Sequence, residues 1–457
     1  MKKLFFISIL MLFVAARSQT VNSEQGNQPK TLTLKEAIDY ALEHKADAKK
    51  AKLSIENSEY QIQEVRSRAL PQISITGNLT YNPILQQSAL DLGALAGPGA
   101  PSNVQFVTFG QKWSSTAGVS LNQAIFNQAV FTGLKAAKST REFYQINARL
   151  TEEQVIERVA NAYYQVYVSR QRLTVLDSNF VNTSKVRDII KGQFENGLAK
   201  KIDLDRVVVK ISNINTQRQE ALNAVQLQEN ALKFYMGMPI EAIIIIPQTE
   251  FEVTPQALSE LPNTMNRTEY LLLKKQEQLL DFKKKSIIAD YYPTLSLTGG
   301  YNYIGQGPKF PWGGKPSEGV YWSDFSAIGL NLNIPIFTGF GTRARVRQAD
   351  IDLRELKEDL NETKLALDLD FENAKKQIEN SLVTIKTQKE NAQLAQEVLD
   401  NTRNNYYQGL ASLTDLLDAE NALVEARNNY TSALLNYKLA EIQLIKSKGE
   451  LRTLTNK

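Results

Sequence analysis

A chain of 457 residues with no cysteine and a formal net charge of +4 has no disulfides and is held by packing alone. Its charge is close to balanced, which argues against nucleic acid as a main partner. Beyond the N-terminal segment no run of about eighteen apolar residues occurs, so no helix is expected to cross a bilayer and any spanning part must be β-barrel.

Lys2 and Lys3 precede an apolar run from Leu4 to Ala16, with small residues at Ala16 and Ser18. This is the pattern of a secretory signal over 1–18, with the mature chain starting near Gln19. Loss of Lys2, Lys3 and Arg17 lowers the charge to about +1. A helix is then expected from Leu34 to Ala69, opened by the capping-box pair Thr33 and Glu36 and stopped by Pro71. The next segment alternates: Ile73, Ile75, Leu79 and Tyr81 share one face, and Ser74, Thr76, Asn78 and Thr80 the other. A returning strand places Trp113, Ala117, Val119 and Leu121 opposite Ser114, Thr116, Ser120 and Asn122. Each strand is about ten residues, the length that crosses a membrane. The intervening loop, Pro83 to Lys112, is rich in Gly and Pro and reads as exposed. A soluble sandwich would also alternate, but two isolated hairpins cannot build its core. From Gln128 to Asn196 nothing stops a helix except Gly133 and Gly192 near its ends, giving a rod of roughly 100 Å. A turn at Asn196-Gly197-Leu198 leads into a helix from Asp203 to Tyr235, ended by Gly237-Met-Pro239.

The chain then repeats itself. Ala69-Leu-Pro-Gln-Ile-Ser-Ile-Thr-Gly77 is answered by Tyr291-Tyr-Pro-Thr-Leu-Ser-Leu-Thr-Gly299, and Val119-Ser-Leu-Asn-Gln-Ala-Ile-Phe126 by Leu330-Asn-Leu-Asn-Ile-Pro-Ile-Phe337. Phe194-Glu-Asn-Gly-Leu-Ala is answered by Tyr406-Tyr-Gln-Gly-Leu-Ala, and Asp203-Leu204 by Asp415-Leu416. The offset is about 222 residues for the first pair and about 211 for the others, a duplication rather than a short solenoid period. In the second copy, Leu295, Leu297, Tyr301 and Tyr303 oppose Thr294, Ser296, Thr298 and Asn302, and Ile328, Leu330, Leu332, Ile334 and Ile336 oppose Asn331 and Asn333. Aromatics Tyr81, Trp113, Tyr303, Tyr321 and Trp322 lie toward the loop ends, as an interfacial girdle requires. The expected organisation is a first repeat over 19–236 (hairpin 71–126, tip turn 196–200) and a connecting region over 237–266. A second repeat follows over 267–447 (hairpin 293–337, tip turn 408–412), with a tail over 448–457. The long helices, 128–196 and 343–408, are too long for a globular domain and read as coiled-coil elements. The flanking shorter helices, stacked end to end, match the length of a long one.

Four strands cannot close a barrel, and open strand edges cannot sit in lipid. Several copies must therefore share one barrel. Two would give eight strands and three would give twelve, and an open duct favours three or more. The repeat order, the Leu-Pro-Gln strand entry, Phe337-Thr-Gly339 and the Gly-Leu turns followed by Asp-Leu together resemble the TolC-like outer-membrane efflux proteins over essentially the whole mature chain. The resemblance implies a mostly α fold with a transmembrane β part, namely a long α-helical coiled-coil barrel in the periplasm and four strands per chain completing a 12-stranded β-barrel in a homotrimer. It implies a passive exit channel in the outer membrane for tripartite efflux or type I secretion. The implied partners are a periplasmic adaptor (membrane fusion) protein, an inner-membrane pump of RND or ABC type, and outer-membrane lipid. The alternative is a non-conducting structural or adhesive coiled coil at the cell surface; it accounts for the helices but not for strand pairs at matching places in two repeats.

The same resemblance makes Gly197, Leu198, Gly409 and Leu410 the adaptor-contacting tips. It makes Asp415 and Asp418, three apart on one helical face, the tunnel constriction, with Asp203 at the matching place of the first repeat. A ring of such carboxylates attracts cations; the alternative is a helix start, where acids favour the macrodipole. Tyr406 matches an aromatic of the family's closing lock, but Ala411 stands where the partner arginine is expected, and Lys200 and Lys201 are the nearest candidates to replace it. No catalytic or metal site is expected. His44 is the only histidine, no second ligand stands at metal spacing, and Gly299-Gly300 and Gly313-Gly314 lack the following helix of a phosphate cradle. No cofactor is expected.

Overall fold

The computed structural model describes residues 30–91, 101–247 and 264–455. The expected signal segment and most of the connecting region lie outside them. Among the described residues seven helices carry the fold: α1 Leu34–His44, α2 Ala46–Ser67, α3 Gln128–Glu195, α4 Lys201–Met236, α5 Thr268–Ile288, α6 Gly341–Tyr407 and α7 Leu413–Lys448. The strands are β1 Lys30–Thr31, β2 Gln72–Tyr81, β3 Gln87–Asp91, β4 Val104–Thr108, β5 Trp113–Phe126, β6 Ile244–Ile245, β7 Thr294–Gly307 and β8 Tyr321–Asn333. The two long helices, α3 with 68 residues and α6 with 67, each span ~100 Å. No described helix is long and apolar enough to cross a membrane.

The two hairpins merge into a single antiparallel sheet in the order β2-β5-β7-β8. Its register follows the alternation: Ile73 pairs with Leu121 and Tyr81 with Trp113, Val119 with Tyr301, and Leu297 with Leu330. The apolar residues of all four strands therefore share one face of the sheet. On the outer strands β2 and β8 this face is bare in the single chain, with Ile75 80% and Ile328 85% exposed. The outer edges, β2 and β8, have no strand partner among the described residues. Rings gather at the loop end: Tyr303 stacks on Trp322 at 4.8 Å and Tyr81 lies 4.5 Å from Trp113.

Three expectations are corrected. The loop over 83–112 is not irregular throughout, because β3 and β4 pair there as a second hairpin. The second barrel hairpin ends at Asn333 rather than at 337; Pro335 has no N–H to give to a ladder. The opening helix is broken at Lys45, whose ψ of 133° is extended. The break has a tertiary cause, since Lys45 is where the C-terminus of α4 meets the start of α2. A Cβ on Gly237, the left-handed residue that ends α4, would lie 2.9 Å from Lys45 Cα. Lys45 Nζ donates to the Phe234 carbonyl at 2.9 Å, and its ammonium sits 3.9 Å from the Phe234 ring centroid. The second repeat builds the same joint. Gly449 ends α7 in the left-handed conformation, and Arg267, the N-cap of α5, donates to the Ser447 carbonyl at 2.9 Å. Cations at helix C-termini are favoured by the macrodipole. Because α2 has 22 residues and α4 has 36, the stacked pair spans ~87 Å, somewhat short of the long helix.

The largest core cluster lies at these joints. It includes Leu32, Ile38, Val155, Val159, Val166, Leu232, Met236, Phe371, Tyr437 and Leu444, and the parallel pair β1–β6 is edged onto it. A smaller cluster lies near the far ends of the long helices.

Candidate pore constriction and tip

The far ends of both repeats are built alike. Gly197 has φ 74° and Gly409 φ 74°, a left-handed conformation that needs glycine. The following amide reaches back a full turn, Leu198 N to Gln193 O at 2.7 Å and Leu410 N to Asn405 O at 2.8 Å. This is the helix-ending motif in which orphan carbonyls are satisfied. Leu198 and Leu410 are left 80% and 75% exposed, so each tip presents one apolar side chain on a fixed turn.

The two turns differ in how the next helix begins. Lys200 at the start of α4 makes no side-chain cap. Ser412 at the start of α7 forms a full capping box with Asp415. Asp415 Oδ2 accepts from Ser412 N at 2.8 Å and from Ser412 Oγ at 2.7 Å, while Asp415 N donates to Ser412 Oγ at 3.2 Å. These Ser412 donors hold the carboxyl below its ordinary range. Both bonds use one oxygen, so Oδ1 remains directed elsewhere and the cap is compatible with a second role. Asp418 is exposed one turn further along the helix.

Asp203 is half-buried and lies 3.8 Å from Arg206. Tyr406 packs, half-buried, against the tip cluster. Burial pushes its phenol up, and the Asp203 carboxylate adds to that effect. Lys200 and Lys201 are exposed, and among the described residues no hydrogen bond or ion pair joins either to Tyr406. His44 stacks on Tyr40 at 4.0 Å, and its Nδ1 lies 3.0 Å from the Tyr40 carbonyl, a helix-end role. No group of metal-holding side chains occurs among the described residues.

One residue of this region escaped the sequence reading. Glu420 is only 2% exposed, lies between Leu416 and Leu423 in the row that buries α7, and lines a small cavity with Asn179, Leu399 and Arg427. The signal was present as spacing: Leu413, Leu416, Glu420 and Leu423 keep the three-four-three step of a packed helix seam, and a glutamate stands at one of its apolar places.

The sequence profile of outer membrane efflux proteins matches residues 37–238 and 286–450. The outer membrane protein TolC of Vibrio cholerae is 23% identical over 398 residues, covering 84% of this chain and 83% of that protein. The alkaline protease secretion protein AprF of Pseudomonas aeruginosa is 22% identical over 343 residues, covering 72% and 69%. Among solved structures, the CmeC outer membrane channel of Campylobacter jejuni superposes with a TM-score of 0.71 at 16% identity, covering 94% of this chain and 90% of that one. With its two long helices, its four-stranded sheet and a profile match across both repeats, the chain belongs to the outer membrane efflux protein family and is an outer-membrane protein.

Proposed function

We propose that three copies of this chain form a passive exit duct for an efflux or secretion system. Their sheets join edge to edge, β8 of one copy against β2 of the next, into a 12-stranded barrel. The observation that carries this reading is the open four-stranded sheet whose apolar face is bare on the outer strands in one chain. Unpaired edges cannot be left in hydrocarbon, and lipid is the solvent that face suits. The helices give the same message: Leu365 and Leu369 on α6, and Leu227 and Phe234 on α4, are each at least 60% exposed, which suits burial against neighbouring helices of other copies.

The helical ends point away from the membrane, and Leu198 and Leu410 at Gly197 and Gly409 offer the contact for a periplasmic adaptor that links the duct to an inner-membrane pump. AprF is named for secretion of a protease, and the family for efflux; both uses are consistent with a duct that does no chemistry on its passenger. Asp415 and Asp418 form the narrowest ring in this reading, six carboxylates around one axis, with Asp203 and Tyr406 beside it. Such a ring favours cations.

The test is conduction. Purified protein should run as a trimer before heating and conduct in planar bilayers with cation preference. Asp415→Ala combined with Asp418→Ala should reduce that preference while leaving the trimer intact. Unchanged selectivity removes the ring, and release from outer membranes by a salt wash removes the duct.

A further inference from the structure

The helices near the tip form two hairpins, α3 with α4 and α6 with α7, and any widening of the tip must move these hairpins away from each other. Few side-chain bonds join them. Arg172 donates to Ser432, Lys210 donates to Asn421, and Thr183 on α3 meets Glu420 on α7. Only the last is buried. We propose that Glu420 is a proton-operated latch, which clasps α3 to α7 when its carboxyl is protonated and lets the hairpins separate when the proton leaves. The inference rests on the reading of the tip as the moving end of a duct.

The argument is one of hydrogen-bond accounting. Thr183 Oγ1 lies 3.1 Å from Glu420 Oε2 and 3.4 Å from Asn179 Oδ1, and a hydroxyl has a single proton to give. A protonated Glu420 donates to Thr183, which donates onward to Asn179, so a continuous chain is satisfied. An ionised Glu420 accepts the Thr183 hydrogen bond, and Asn179 Oδ1 loses that donor. The charge then rests on a carboxylate whose Oε1 is buried without a partner. That oxygen is already covered within one chain, so a neighbouring copy cannot reach it. A buried carboxylate short of donors is costly, and its neutral form much less so.

The groups facing Glu420 are few. From α3 come neutral Ser178, Asn179, Asn182 and Thr183, and from α7 itself Arg427 beside the cavity. Lys210 on α4 and Arg403 on α6 act through their charge and favour ionisation, as does the Thr183 bond, but burial outweighs them and pushes the carboxyl above its ordinary range. A carboxyl whose value is raised in the closed tip stabilises that tip fully below the ordinary glutamate range. The contribution is lost as the pH climbs through the raised value. Acid therefore closes and alkali releases.

The chain has no cysteine, so spin labels can be placed uniquely at Val181→Cys on α3 and Glu425→Cys on α7, both exposed. The α3–α7 distance in the full-length trimer should gain a wider population as the pH rises from about 5 to about 8. The ratio of wide to narrow should change at most about tenfold per pH unit per chain. Glu420→Gln, which stays neutral and can still donate to Thr183, should hold the narrow distance throughout. Thr183→Val, which breaks the chain at its middle, should show the wide population at both ends of the range. The latch is overturned if the wild-type distance ignores pH, or if Glu420→Gln follows pH as the wild type does. Bilayer recording of the same proteins separates the two readings. Absence of conduction defeats the duct, whereas conduction with a pH-independent distance defeats the latch alone.

Discussion

The helix joint at Lys45 gives a prediction with an internal control. Gly197 and Gly237 have nearly the same backbone, φ 74° and φ 73°. Placing alanine in that left-handed conformation costs roughly 1–2 kcal/mol at either site, and the reduced freedom of the unfolded chain offsets roughly 0.4–1 kcal/mol of it equally in both. Their surroundings differ. A Cβ on Gly197 meets nothing within 4 Å, whereas one on Gly237 lies 2.9 Å from Lys45 Cα and 3.0 Å from His44 O. Those are backbone atoms and cannot rotate away, so the α4 end must withdraw from α2, an overpacking cost of roughly 1–3 kcal/mol more. Gly449 is intermediate, since its nearest atom is the side-chain Cδ of Arg267 at 3.2 Å. Thermal unfolding of the three Gly→Ala variants in detergent, followed by helical circular dichroism at one scan rate because such unfolding is commonly irreversible, should order the midpoints Gly197→Ala above Gly449→Ala above Gly237→Ala. If Gly197→Ala melts as low as Gly237→Ala, the joint is not a close contact and the explanation of the Lys45 break fails.

The remaining predictions use the same protein in detergent. Arg267→Met strands Glu269, its ion-pair partner at 2.8 Å, and removes the donor to the Ser447 carbonyl; with Arg267 only 4% exposed, a loss of roughly 3 kcal/mol is expected, read as a drop in melting midpoint larger than that of any surface Arg→Met control. Asn127 accepts from Ala129 N at 3.0 Å and Val130 N at 3.3 Å, so Asn127→Ala should cost about 1 kcal/mol in the same assay. Because Ser412 holds the Asp415 carboxyl low, the cap's contribution is present above the ordinary aspartate range and is lost as the pH falls through the lowered value. Ser412→Ala should therefore lower the melting midpoint at neutral pH and converge with wild type as the pH falls through the lowered value, and a difference that does not depend on pH would mean the box is not formed in solution.

Much of the architecture could be read from residue order because its determinants are local. The long helices follow from the lack of any breaker between Gly133 and Gly192, and the sheet faces from strict alternation, which fixes register once one face must be apolar. The break at Lys45 could not be read this way. Lys45-Ala-Asp47 is compatible with a helix, and the interruption comes from Gly237, nearly two hundred residues on. The β3–β4 hairpin was hidden for another reason: Gln87-Ser-Ala-Leu-Asp91 lacks β-branched residues, so its pairing with Val104–Thr108 rests on tertiary context rather than propensity. At the tip, the pair Asp415 and Asp418 drew the eye to the exposed face of α7, while the residue most constrained by its surroundings, Glu420, was on the other face.

The repeats are alike in chain order but unequal at their tips, and the inequality has a direction. The turn after α6 opens α7 with a reciprocal capping box at Ser412 and Asp415, so α6 and α7 are joined by a fully bonded end. The turn after α3 opens α4 without a side-chain cap, and its first acid, Asp203, pairs instead with Arg206, its charge also felt at Tyr406 on the other hairpin. A hairpin whose end is satisfied internally moves as one piece, whereas one whose end groups lean on a neighbour resists or follows that neighbour. Displacement at the tip should therefore be a rotation of α6 and α7 as a unit, with its resistance concentrated in the contacts that cross to α3 and α4. Of the three side-chain hydrogen bonds that cross near the tip, Thr183–Glu420 is the one that water cannot weaken while the helices stay packed, because it alone is buried.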